Sequence, residues 1–175
     1  MDELTKSELE YCTKIAGRIK QLRELLADDL CDPPNACNWF DFLAKMKSIQ
    51  GNVGNDLGFI ATLLAKEYLS DLFPDLDFDC AAKPQGANGL DIDFRTADER
   101  RIIAEIKNTV PHKDNDFGGA QKREFRKDFF KLNNADAYRK FFFVTNKQAF
   151  GLLRDKYKKE IPEVEIVVLN CPAKI

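Results

Sequence analysis

The sequence predicts an α/β fold, with a mixed β-sheet core flanked by helices and preceded by an N-terminal helical segment. Three observations carry this. Apolar residues in the first third recur at helical spacing, the period switches to two after Pro74, and beyond residue 108 helical and strand-like stretches take turns. With 175 residues, 44% hydrophobic and 32% charged, the chain suits one globular domain with a sizeable core and is too apolar for disorder.

Leu4, Tyr11, Ile15, Ile19, Leu22, Leu26 and Leu30 form one amphipathic stripe, which Pro33-Pro34 ends. Asn38 is a candidate cap for a second helix carrying Trp39, Phe40, Leu43 and Met46 and stopping near Gly51, and Asn55 or Asp56 opens a third through Ile60, Leu64 and Tyr68. Residues 1–50 therefore read as a helical segment packed on a core formed by 51–175. Leu76 to Cys80 alternates as a strand does, and after the loop Lys83 to Asn88 come two stronger alternating segments, Leu90 to Thr96 and Arg101 to Lys107. A helix from Gly119 to Leu132, a strand from Lys140 to Thr145, a helix from Lys147 to Glu160 and a strand from Val164 to Leu169 complete the prediction.

Composition narrows the function. The longest apolar runs fall far short of the roughly 20 residues that span a bilayer, and Met1-Asp2-Glu3 lacks the regions of a signal peptide, so the expectation is a cytoplasmic protein without membrane attachment. Five cysteines without a C-x-x-C pair suggest reduced, mostly buried thiols rather than disulfides or a zinc ribbon. A single histidine, His112, disfavours two-histidine chemistry, leaving carboxylates and lysines to do any catalysis. Net charge is -2, yet Ala120 to Glu160 holds 12 Lys or Arg against 5 Asp or Glu. A basic segment in an acidic chain is the footprint of a polyanion contact, although solvated helix faces have the same composition.

The hairpin formed by the two stronger strands carries the chemistry. One apolar surface requires Leu90, Ile92 and Phe94 to share a face with Ile102, Ala104 and Ile106. The other face then carries Asp91, Asp93, Arg95, Arg101, Ile103, Glu105 and Lys107. This register needs an odd-length loop or a bulge at Ala97 to Arg100 and pairs Asp93 or Asp91 with Glu105. Adjacent carboxylates repel unless a cation lies between them, so the face suits a divalent metal better than it suits an inert sheet.

Gly89-Leu90-Asp91-Ile92-Asp93-Phe94 followed by Ile102-Ile103-Ala104-Glu105-Ile106-Lys107, the only [D/E]-x-K in the chain, resembles the PD-(D/E)xK nuclease superfamily, the restriction-endonuclease-like fold. The resemblance covers about residues 51 to 169, with Leu90 in place of the family's proline. It implies that Asp91, Glu105 and the Ile106 carbonyl bind Mg²⁺, with Mn²⁺ able to substitute, and that Lys107 is the catalytic lysine. Asp93 shares the face and is an additional candidate. Asp56 and Glu67 lie near the place of the family's helix glutamate, and Gln121 with Phe125 resembles the Q-x-x-x-Y helix of the exonuclease branch, with Phe in place of Tyr. The basic helix face, Lys122, Arg123, Arg126, Lys127 and Lys131, is the candidate phosphate-contacting surface.

The expected function is that of a Mg²⁺-dependent endodeoxyribonuclease acting on double-stranded DNA, a type II restriction enzyme working as a homodimer beside a cognate DNA methyltransferase. The N-terminal stripe, Leu4 to Leu30, reads as a packing helix within the protomer and is also a candidate dimer surface. A junction-resolvase type of nuclease and a catalytically inactive DNA-binding or interaction module are the alternatives. Two further motifs fail on spacing: His112-Lys113-Asp114 lacks the H-x-K of phospholipase D, and Gly51-Asn52-Val53-Gly54 lacks the G-K-[ST] end of a phosphate loop.

Overall fold

Each capping side chain near the start of the chain sets a helix boundary that periodicity alone leaves loose. In the computed structural model, which describes residues 4–27, 35–83, 87–112 and 116–169, α1 spans Lys6–Ala27. It opens with a capping box: Thr5 Oγ1 accepts from Glu8 N at 3.2 Å, and Thr5 N donates to Glu8 Oε2 at 2.9 Å. Helix α2, Ala36–Gln50, starts from Asn35, whose side chain accepts from Asn38 N at 3.0 Å. The predicted cap, Asn38, is thus inside the first turn. Helix α3 spans Val53–Leu72 and starts two to three residues earlier than expected, because Asn52 Oδ1 accepts from Asn55 N at 3.1 Å. Leu30 and Pro33-Pro34 lie outside the described residues.

The chain divides into two units, Glu3–Asp56 and Leu57–Ile175. In the first, Ile19 and Leu26 of the predicted stripe are exposed while Leu25 is buried, and α2 buries none of its residues. Of the described cysteines only Cys80 is buried; Cys12 is half-buried and Cys37 exposed, and none of the three is in a disulfide. The expectation of mostly buried thiols does not hold for these three.

The second unit is built on a mixed sheet of four strands in the order β1-β2-β3-β4: Ile92–Arg95, Arg101–Lys107, Arg139–Val144 and Glu165–Val168. The β1–β2 pair is antiparallel, the other two pairs parallel. Its register sets Ile92 against Ala104 and Phe94 against Ile102, as a single apolar face demands. Five residues, 96 to 100, close the hairpin between Arg95 and Arg101. Between β2 and β3 runs α4, Gly119–Asn134, and after β3 comes α5, Lys147–Leu152. The predicted helix to Glu160 continues as a π turn, Leu153–Tyr157, and a 3₁₀ turn, Lys158–Glu160, across which Leu153, Tyr157 and Ile161 all reach the core.

Strand alternation splits the core in two. Ile92, Phe94, Ile102, Ala104, Phe141 and Phe143 meet Ala61, Ala65 and Leu69 of α3, whereas Ile103, Phe142 and Val144 meet Phe125, Phe129 and Leu132 of α4 together with Leu152 and Leu153. Helices therefore cover both sheet faces, the layering that parallel pairing requires. The segment Leu76 to Cys80 is not a strand. Its alternation is real, but it records side chains inserted into the α3 layer, with Phe78 stacked on Phe94 at 5.7 Å and Cys80 buried, and not pairing in a ladder.

Candidate functional site: a carboxylate cluster shared by β2 and α4

Glu105 is the middle of the site. It lies on β2 between the buried Ile103 and the half-buried Lys107, on the face that α4 covers, and is only 1% exposed. Beside it lies the Asp91 carboxylate, which accepts from Ile106 N at 2.8 Å. Burial first, and then the negative charges of Asp91 and Asp128, push Glu105 up to about 8, against the lowering effect of Lys131. Of the three carboxylates expected together, Asp91 and Glu105 meet, at the cost of Glu105 holding a proton near neutrality.

Two side chains from α4 complete the cluster. Lys131 Nζ lies 2.9 Å from Glu105 Oε1, 3.0 Å from Asp128 Oδ1 and 3.2 Å from the Gly89 carbonyl. Burial by itself would lower its pKa, but the bonds to Glu105 and Asp128 outweigh that and raise it, so the ammonium stays charged. Lys107 Nζ is 2.7 Å from Asp128 Oδ2, an ion pair whose angles miss those of a hydrogen bond. Gly89 holds φ +102, a conformation that glycine adopts freely and other residues rarely do, and its carbonyl takes part in the cluster.

Asp128 was not anticipated from the sequence, although a signal was present. Phe125, Asp128, Phe129 and Leu132 fall at i, i+3, i+4 and i+7, so an acidic residue occupies a core position of the helix stripe, and all four are buried. Lys131 was assigned to the outer basic face but turns inward to Glu105.

Other candidates have different partners. Asp93 is held by Arg101 through two bonds of 2.9 and 2.7 Å, which lower its pKa. Asp56 belongs to the N-terminal unit, where it pairs with Arg18 and bonds Tyr11. Glu67 is exposed on α3, which covers the sheet face opposite Glu105. Gln121 ties down the loop before α4: its Oε1 accepts from Gly118 N at 2.9 Å and His112 N at 3.4 Å, and its Nε2 donates to Val110 O at 2.8 Å. Ile106 is recorded in the cluster through its amide N–H. On the basic face, Lys122 pairs with Asp116, Arg126 with Glu160 and Lys127 with Glu124, which leaves Arg123 as the member without an acidic partner among the described residues.

Among the described residues no group of three or more His, Cys, Asp or Glu has the arrangement of a metal cage. A magnesium site does not need one, since one or two carboxylates suffice when water and substrate phosphate supply the other ligands. The donor set fits on that basis: Asp91 and Glu105 lie side by side, and a cation, the Lys131 ammonium, already sits on the Glu105 carboxyl. An open cleft of about 380 Å³, lined by Phe78, Lys83, Asn88, Asp91 and Asp93, lies beside Asp91. Among the described residues no helix is long and apolar enough to cross a membrane. No protein-family model matches this chain, and no significant match to a curated protein or a solved structure was found.

Proposed function

We propose that the protein is a Mg²⁺-dependent endodeoxyribonuclease, with the type II restriction enzymes as the class it fits best. The observation that carries the proposal is the buried Glu105 carboxyl beside Asp91, with Lys107 two residues further along the same strand face. Repelling carboxylates at a buried sheet position are costly to a fold, and such clusters of perturbed groups concentrate at functional sites. Asp91 and Glu105 would hold the metal, which supplies charge neutralisation at the scissile phosphate and an acidified water. Lys107, held by its ion pair with the buried Asp128, would orient the attacking water through its ammonium hydrogens. Arg123 on the outer side of α4 is available for a backbone phosphate. One such centre cuts one strand, so cleavage of a duplex calls for two subunits.

A second reading rests on a specific contact. Lys131 already neutralises part of the acidic charge, so the cluster can exist without a metal in a catalytically inactive DNA-binding or interaction module.

The test is incubation of wild type, Lys107→Ala and Glu105→Ala with plasmid and phage DNA in Mg²⁺, Mn²⁺ or EDTA, with circular dichroism to establish folding. Metal-dependent fragments from wild type alone are expected. Cleavage retained in both folded variants removes the nuclease assignment. Tight DNA binding without cleavage or metal uptake selects the inactive module.

A further inference from the structure

We infer that Lys131 is a built-in counter-ion for the carboxylate cluster, and that a divalent cation enters by displacing its ammonium group toward solvent. The inference rests on the metal-dependent reading above and concerns how that site is kept when empty and how it is loaded.

Three oxygens surround Lys131 Nζ at 2.9 to 3.2 Å: a carboxylate oxygen of Glu105, one of Asp128 and the Gly89 carbonyl. This is the chemistry of a hard-cation site, with an ammonium as the occupant. A divalent ion bound by Glu105 and Asp91 would share the Glu105 carboxyl with the Lys131 ammonium, and two cations that close together repel strongly in a partly buried site.

The side chains differ in their freedom to move. Glu105 and Asp128 are 1% and 6% exposed, whereas the Lys131 side chain is 40% exposed and ends in a flexible four-carbon stem. Helix α4 itself is fixed by Phe125, Phe129 and Leu132 in the core. The ammonium is therefore the part that yields, and Asp128 keeps Lys107 after Lys131 has left.

The experiment compares wild type, Lys131→Met and Lys131→Arg by isothermal titration with Mn²⁺. Removing the competing charge is expected to tighten binding by about tenfold in Lys131→Met, while Lys131→Arg, which keeps the charge, stays close to wild type. In wild-type protein, amine-reactive labelling read by mass spectrometry is expected to modify Lys131 several-fold faster in Mn²⁺ than in EDTA, a readout independent of any variant's folding. Metal binding by wild type with unchanged affinity in Lys131→Met, or with unchanged labelling of Lys131, overturns the displacement and leaves the nuclease reading intact. Absence of Mn²⁺ binding in wild type and variants overturns both.

Discussion

At the scale of single residues, Glu105 ties stability to pH. Its carboxyl titrates at about 8, against an ordinary 4.5, because it is buried beside Asp91 and Asp128. Between these values the native state keeps a proton that the unfolded chain has released, so the contribution of this group to stability falls as pH rises through the window. The groups facing it are Asp91, Asp128 and Lys131, with Lys107 on the same strand. Glu105→Gln, which cannot ionise, is expected to flatten this slope. In urea unfolding with EDTA at pH 5 and pH 8, wild type should lose on the order of 1–3 kcal/mol more than the variant. Equal slopes would show that the proton resides elsewhere. Which residues share a hairpin face was legible in the sequence, because an odd shift splits the apolar set, but Asp91 and Asp93 both remained possible opposite Glu105 until the structure set Asp93 against Ile103. Asp128 was not, since helix periodicity shows which face a residue is on but not that a buried acid has lysines from two elements as partners.

At the scale of elements, side-chain caps decide what hydrophobic periodicity leaves open. Asn35 and Asn52 each start a helix from a position that reads simply as a polar loop residue, and both boundaries were misplaced because a run of neighbouring asparagines offers several caps of similar quality. Strand β2 and helix α4 were legible almost to the residue, β2 as a short apolar stretch bounded by Arg101 and Lys107 and α4 as a helix with one buried face. The segment Leu76 to Cys80 misled for a physical reason: alternate burial arises wherever an extended chain lies on a core, and only a partner strand makes it a sheet. Gln121 gives the element-level prediction. It ties Val110, His112 and Gly118 to the first turn of α4, so Gln121→Ala is expected to lower stability by about 1–2 kcal/mol, seen in thermal unfolding. Gln121→Glu keeps the acceptor for Gly118 and His112 but loses the donor to Val110, and should fall between wild type and alanine. A variant with wild-type stability but impaired cleavage would instead make Gln121 part of the reaction.

At the scale of the whole molecule, the two-sided core and the charge distribution set what the surface can do. The basic surplus between Ala120 and Glu160 is visible in the sequence, but its electrostatic meaning depends on partners that only the fold supplies. Asp116 from the preceding loop takes Lys122, Glu160 from the far end of the α5 region takes Arg126, and Lys131 turns into the carboxylate cluster. A segment rich in cations thus presents less free positive charge than its count suggests, and a DNA contact through α4 has to be carried chiefly by Arg123. Each phosphate neutralised contributes about 0.9 to the slope of log K against log salt for a duplex. Arg123→Ala is accordingly expected to reduce that slope by about 1, measured by fluorescence anisotropy with a labelled duplex and the metal replaced by Ca²⁺. Lys127→Ala should reduce it by less than half as much, because its charge is shared with Glu124 at 2.7 Å. Equal reductions in the two variants would mean that the internal ion pairs open on DNA and the full basic face is engaged. No reduction in either would place the duplex on another surface, with the cleft beside Asp91 and the loop of Lys83 as the first alternative to probe.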